Sequence, residues 1–238
     1  MFTSSGRTSR VANHAFEPHS RGFWTEDNVL SDRECDDLIE AARASLQGRG
    51  RAGARHLMSI PAIGAAAKDE RLLRIARRGL GDGAVPFRAT LFDKSARANW
   101  LVVWHQDTAL PLESRNDSAE WGPWSLKAGI LYAHAPAWAL SRVLALRIHL
   151  DASTRDNGPL RIIPGSHRAG VLSDDEVLGL ARTQETVEAL VPCGGVLAMR
   201  PLLVHSSSKA RGDEPRRVLH NEYADALDLG PGLRLAIA

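Results

Sequence analysis

The chain has 238 residues, 44% of them hydrophobic and 24% charged, with 30 basic against 28 acidic side chains. That length and apolar content suit one large domain able to bury a core without staples, and the near-balance of charge gives whole-molecule electrostatics no part in binding nucleic acid. The two cysteines, Cys35 and Cys193, form no CxxC pattern, so no disulfide framework is expected and a reducing cytoplasm fits. No apolar run reaches the ~18 residues of a membrane span, so no membrane partner is expected.

Residues 1–20 are polar and read as a mobile tail without a secretory signal, followed by a single domain over 21–238. Ser31 and Glu34 form a capping box ahead of Leu38, Ile39, Ala42 and Leu46, with Gly48 as the stop and a loop over 48–53. A second helix is predicted over 61–80, ending at Gly81. Beyond Gly83 the texture changes. Residues 85–92, 99–105, 126–133, 143–150, 160–163, 187–191, 196–199, 202–204 and 216–223 are strand-like, with turn residues between them and one short helix at 174–182. So many strands with so few intervening helices argue against βαβ units. They predict a mainly β fold, a jelly roll or sandwich with helices packed outside.

Within this pattern, His105 and Asp107 lie two apart on a strand, and alternate strand residues share a face. Both can therefore address one metal, with His205, placed at the end of an apolar strand, as third ligand. Two histidines and a carboxylate make a facial triad that leaves adjacent coordination positions open, the arrangement of non-haem iron oxygenases. Arg216 follows His205 by eleven residues and begins the next strand. Its guanidinium suits the distal carboxylate of a 2-oxo diacid. Arg217 is the alternative, but adjacent strand residues face opposite ways and the spacing favours Arg216.

The series His105-Gln106-Asp107, Asp156-Asn157-Gly158-Pro159-Leu160, Ile163-Pro164-Gly165-Ser166-His167, His205 and Arg216 resembles the phytanoyl-CoA dioxygenase family over roughly residues 85–224. The resemblance implies a double-stranded β-helix, a cupin-like jelly roll, and an enzyme using Fe(II), 2-oxoglutarate and O2 to hydroxylate a small molecule with release of succinate and CO2. It makes His105, Asp107 and His205 the iron ligands and Arg216 and Ser207 the holders of 2-oxoglutarate. Asp107 sets the chain apart from halogenating relatives, which carry a small residue there. His167 is expected to be a support rather than a ligand.

An insertion over 108–142 departs from simpler members and can form a lid, its Trp121 and Trp124 closing over substrate. In residues 143–151, Arg147, His149 and Asp151 alternate with an apolar face. If that polar face points inward, Arg147 approaches the metal. With Lys127 on the inserted strand it predicts an anionic metabolite as substrate. Lys94 and Arg88 are further candidate contacts that the sequence does not rank. Two alternatives stay open: a cupin-like metal enzyme that does not use 2-oxoglutarate, and a non-catalytic jelly-roll binding protein.

Overall fold

The computed structural model describes residues 18–46, 53–95, 99–116 and 118–238. Most of the expected 1–20 tail and of the 48–53 loop lies outside these residues. A helical turn, α1 (Pro18–Arg21), precedes β1 (Phe23–Glu26). Next come α2 (Asp32–Leu46), β2 (Ala54–Arg55), α3 (Pro61–Ala67), α4 (Glu70–Leu80), β3 (Val85–Lys94) and β4 (Val102–His105). The inserted segment supplies β5 (Ala109–Leu112), β6 (Trp124–Lys127), β7 (Ile130–His134) and α5 (Ala137–Leu140). The remainder is β8 (Val143–His149), β9 (Leu160–Ile162), α6 (Asp174–Thr183), β10 (Val187–Ala189), β11 (Val196–Met199), β12 (His205–Ser207), β13 (Arg216–Ala224), β14 (Asp228–Gly230) and β15 (Leu233–Arg234).

The capping box at Ser31 forms: Glu34 N donates to Ser31 Oγ at 3.3 Å, and Ser31 N donates to the Glu34 carboxylate at 2.8 Å. The helix expected over 61–80 is two helices. The Asp69 carboxylate accepts from Arg71 N at 2.8 Å and so caps a new start at Glu70. The run 126–133 is a hairpin rather than one strand, because Ala128 and Gly129 both take positive φ, 49° and 83°. Residues 202–204 are buried but turned, with Leu203 N donating to Arg200 O. Their apolar character reflects burial, not extension, so His205 opens a strand instead of ending one.

All strand pairing is antiparallel. A six-stranded sheet runs β1-β11-β8-β13-β3-β2, a four-stranded sheet runs β10-β9-β12-β4, and the insertion forms its own sheet, β5-β7-β6. Helices α2, α3 and α4 cover the outer face of the large sheet. There Leu38, Ile63, Leu72 and Ile75 pack with Leu144, Leu146, Ile148, Leu219 and Tyr223. Period-two alternation turns the other residues of the same strands toward the small sheet. On β3 these are Arg88, Thr90, Phe92 and Lys94; on β8, Arg147 and His149; on β13, Arg216, Val218, His220 and Glu222. The register sets them side by side: Arg216 opposite Lys94, Val218 opposite Phe92, and His220 between Thr90 and Arg147. One face of the large sheet is thus apolar core; the other is polar around β3 and β13, while Phe23, Ala145, Leu197 and Met199 pack with Leu160 and Ile162 of the small sheet.

Candidate active site

Strand pairing brings the first two histidines together. His105 and His205 are direct partners across β4 and β12, with ring centroids 4.2 Å apart. Asp107, just past β4, is held by its backbone N–H donating to Pro201 O at 2.9 Å. The side chain of Gln106 points the other way and pins the strand end, donating to Gly170 O and Leu202 O and accepting from Leu172 N. Asp107 then lies 3.7 Å from His105 Nε2 and 3.6 Å from His205 Nε2. One ligand atom from each of the three residues falls within 4.8 Å of the others.

The tautomers suit a cation. Burial works to lower His105, but Asp107 outweighs it and raises the group in the free site. Nδ1 of His105 meets Val103 O at 2.9 Å and Nδ1 of His205 meets Leu203 O at 2.8 Å. A carbonyl can only accept, so each Nδ1 carries the proton and each Nε2 lone pair is turned to the shared point. Burial lowers His205 to about 4, so it is neutral near pH 7. Burial also works to raise the Asp107 carboxyl, but the two histidines outweigh it and hold it well below its ordinary value.

Next to the triad lies a buried cationic pocket. Lys94 Nζ donates to Ser207 Oγ at 2.7 Å, and Arg216 Nη2 approaches the same oxygen at 3.3 Å. Ser207 in turn donates to Gly158 O at 2.8 Å, and Arg216 Nε donates to Asn157 O at 3.3 Å. The Asn157-Gly158 turn is therefore the floor of this pocket as well as a strand connector. A Cβ on Gly158, at φ 71°, would meet Ser208 O at 2.4 Å and Lys94 Nζ at 3.1 Å. Among the described residues, neither Lys94 nor Arg216 forms an ion pair. Burial, then Arg216 and Arg147, lowers Lys94 to about 7; burial, then Arg147, lowers Arg216 to about 10. Arg217 faces outward in a bidentate pair with Asp151, both contacts at 2.7 Å.

The triad opens onto a cleft of about 370 Å³ whose walls include Arg88, Thr90, Phe92, Lys127, Tyr132 and His220. Arg88 is in this wall and paired with Glu222, whereas Lys94 belongs to the cationic pocket. Lys127 holds its ammonium 4.7 Å from the centre of the Tyr132 ring.

Three expectations need correction. Arg147 does face inward, but it does not line the cleft. It sits behind Phe92, 5.2 Å from that ring, and donates to His220 Nδ1 at 3.1 Å. Trp121 is core: it is 4% exposed and packs with Leu110, Leu112, Ala139 and Leu140, edge-on to Trp138. Trp124 packs on the same cluster, with the Arg115 guanidinium over its ring, and neither tryptophan borders the cleft. Tryptophan carries a large apolar surface, and this cluster gives it partners to pack against. His167 stands away from the triad, its ring against the bare α-carbon of Gly22.

Sequence reasoning passed over His220, Glu222 and Tyr132. The first two carried a usable signal, since they continue the alternate positions begun by Arg216. Tyr132 carried none, because its place depends on the insertion's own pairing.

Comparison with known proteins agrees with this geometry. An L-proline trans-4-hydroxylase of Streptomyces griseoviridis is 28% identical in an alignment of 178 positions that covers 64% of this chain. The matched segment spans 59% of that relative's length. Among solved structures, AviO1 from Streptomyces viridochromogenes Tue57 superposes with a TM-score of 0.64 at 23% identity, covering 92% of this chain and 94% of that one. EctD from S. alaskensis, solved with 2-oxoglutarate and 5-hydroxyectoine, gives 0.65 at 22% identity, covering 88% and 74%. These likenesses establish the shared fold. A sequence profile of the Phytanoyl-CoA dioxygenase (PhyH) family matches residues 19–218, so the chain belongs to that family.

Proposed function

We propose that the chain is an Fe(II)- and 2-oxoglutarate-dependent dioxygenase, one domain over 21–238, that hydroxylates a small or medium polar, anionic metabolite. The observation that carries this reading is the adjacency of two complementary sites: a two-histidine, one-carboxylate cluster, and a buried lysine–arginine–serine pocket with no carboxylate of its own. Buried cations without a counter-charge are costly, so the pocket calls for an anionic partner. Solved neighbours with iron, or with nickel and 2-oxoglutarate, point the same way. Two free thiols fit a reducing compartment such as the cytoplasm, and among the described residues no helix is long and apolar enough to cross a membrane.

The donor set fits the metal and the pocket fits the cosubstrate. His105, Asp107 and His205 would hold the iron on one face. Arg216, Lys94 and Ser207 would grip the distal carboxylate of 2-oxoglutarate, with the Asn157-Gly158 turn beneath it. When bound, iron, 2-oxoglutarate and O2 supply the oxidising power, releasing succinate and CO2 and leaving a hydroxyl on the substrate. Phe92, Thr90 and Tyr132 shape the space where the substrate meets the metal and keep bulk water out. Arg88, neutralised by Glu222, offers that space N–H donors with little net charge.

Succinate release from 2-oxoglutarate tests the reading. The wild-type chain with iron should produce it, and His105→Ala, Asp107→Ala and His205→Ala should each abolish it while keeping the fold. Arg216→Ala should raise the 2-oxoglutarate KM by about thirtyfold or more, the scale of a buried charge-assisted contact, and Arg217→Ala by far less. Equal effects at positions 216 and 217, or a triad variant with full turnover, would refute the assignment.

A further inference from the structure

Beyond the metal, the cleft adjoins a second cavity of about 510 Å³. Arg55 and Lys127 belong to the linings of both cavities and stand at the passage between them. We propose that these two cations form an oxyanion subsite, so that the substrate is an elongated molecule bearing a phosphate, sulfate or carboxylate away from the carbon that is oxidised. This rests on the oxygenase reading above.

The register gives the subsite its distance. Arg55 is the Cα partner of Thr90, and Thr90 is the partner of His220. Lateral partners share a face, so Arg55 projects on the same side as these two cleft residues. Two strand spacings separate Arg55 from His220, about 10 Å. Lys127 arrives from the other side, on the last position of β6 before the Ala128-Gly129 turn.

Arg55 is exposed and Lys127 half-buried, so ordinary solvated surface cations are the competing explanation, and four observations weigh against it. Among the described residues, neither Arg55 nor Lys127 forms an ion pair, whereas the neighbouring Arg88 is neutralised by Glu222. Burial, then Arg55 and Arg88, pulls Lys127 below its ordinary value, so like charges are gathered with nothing between them. The backbone beside Arg55 is left-handed at a non-glycine residue, His56 at φ 62°. Such strain persists only where surrounding contacts over-determine it. Tyr132 supplies those contacts, with the Lys127 ammonium over its ring and its hydroxyl 2.9 Å from His56 Nε2. Two cations that line the same passage, with no acid paired to either among the described residues, fit a doubly held oxyanion.

Calorimetry on the full chain tests this, with a redox-inert divalent metal and saturating 2-oxoglutarate filling the pocket at Lys94 and Arg216. Inorganic phosphate, sulfate and citrate are titrated separately at low ionic strength. At least one should bind saturably to the wild type. Its affinity should fall by about tenfold or more in the Arg55→Gln/Lys127→Gln double variant, as expected when two charge-assisted contacts are lost. Arg182→Gln, an exposed position on α6 with the same loss of charge as one of the two changes, should bind like the wild type. Stronger binding of phosphate or sulfate than of citrate assigns a tetrahedral group; the reverse order assigns a carboxylate. No saturable binding of any of the three anions, or equal affinities in wild type and double variant, would overturn the proposal. Failure of 2-oxoglutarate itself to bind, read in the preceding titration, would count against the oxygenase reading instead, and the wild-type and double-variant comparison would still decide the subsite.

Discussion

Lys94 shows how much a single residue can report about the pocket. In the unliganded chain its ammonium is lowered to about 7 because the group is buried beside Arg216 and Arg147. A bound dicarboxylate would reverse that balance and restore the proton. At pH 6 the lysine is charged in both states, so binding should take up no proton there. Above about pH 7 the free lysine is neutral, binding should take up about one proton, and affinity should fall as pH rises. Calorimetry of 2-oxoglutarate binding in buffers of differing ionisation enthalpy measures this uptake. Lys94→Met should erase it; an unchanged uptake would place the titrating group elsewhere.

At the scale of elements, β13 carries both the site and its anchorage. Alternate residues Arg216, His220 and Glu222 face the polar interior, while Leu219 and Tyr223 face the helices. The Tyr223 hydroxyl donates to Ala67 O at 2.8 Å, tying the sheet to the end of α3. Tyr223→Phe leaves that carbonyl without its donor and should destabilise the fold by about 1–3 kcal/mol, read as a shift in urea midpoint at constant slope. A shift within error would show that another donor takes over the carbonyl. The same strand shows what the sequence made legible. Its alternation, the capping box at Ser31 and the spacing from His205 to Arg216 are local patterns, so the triad and the choice of Arg216 over Arg217 could be reached from them. The fates of Arg147, Trp121 and Trp124 could not. Each depends on which distant strand or cluster arrives on top of it: Phe92 and His220 over Arg147, and the core around Leu110 and Leu140 for the tryptophans. The break at Asp69 also escaped notice, because a helical apolar period continues across a two-residue interruption.

For the molecule as a whole, a metal and cosubstrate held as proposed would sit between the two sheets and should stabilise both together. Ligands at a hundred times their dissociation constant contribute about 2.7 kcal/mol, which for a chain of this size raises the melting temperature by roughly 5–10 °C. Thermal unfolding with and without iron, 2-oxoglutarate and chelator checks this, and Asp107→Ala should lose most of the gain. The parts that would hold the metal and cosubstrate lie on β3, β4, β12 and β13, whereas Lys127 and Tyr132 lie on the β5-β7-β6 sheet, whose apolar cluster is shared with Phe87, Val143 and Ala224 of the large sheet. A two-residue turn closes the β6–β7 hairpin at its exposed tip. Ala128 and Gly129 at that tip are exposed and outside the shared core, so the tip is a replaceable cassette. Grafting a differently charged or longer tip onto the same framework offers a route to change what the cleft accepts, with the His105, Asp107 and His205 cluster left as it stands.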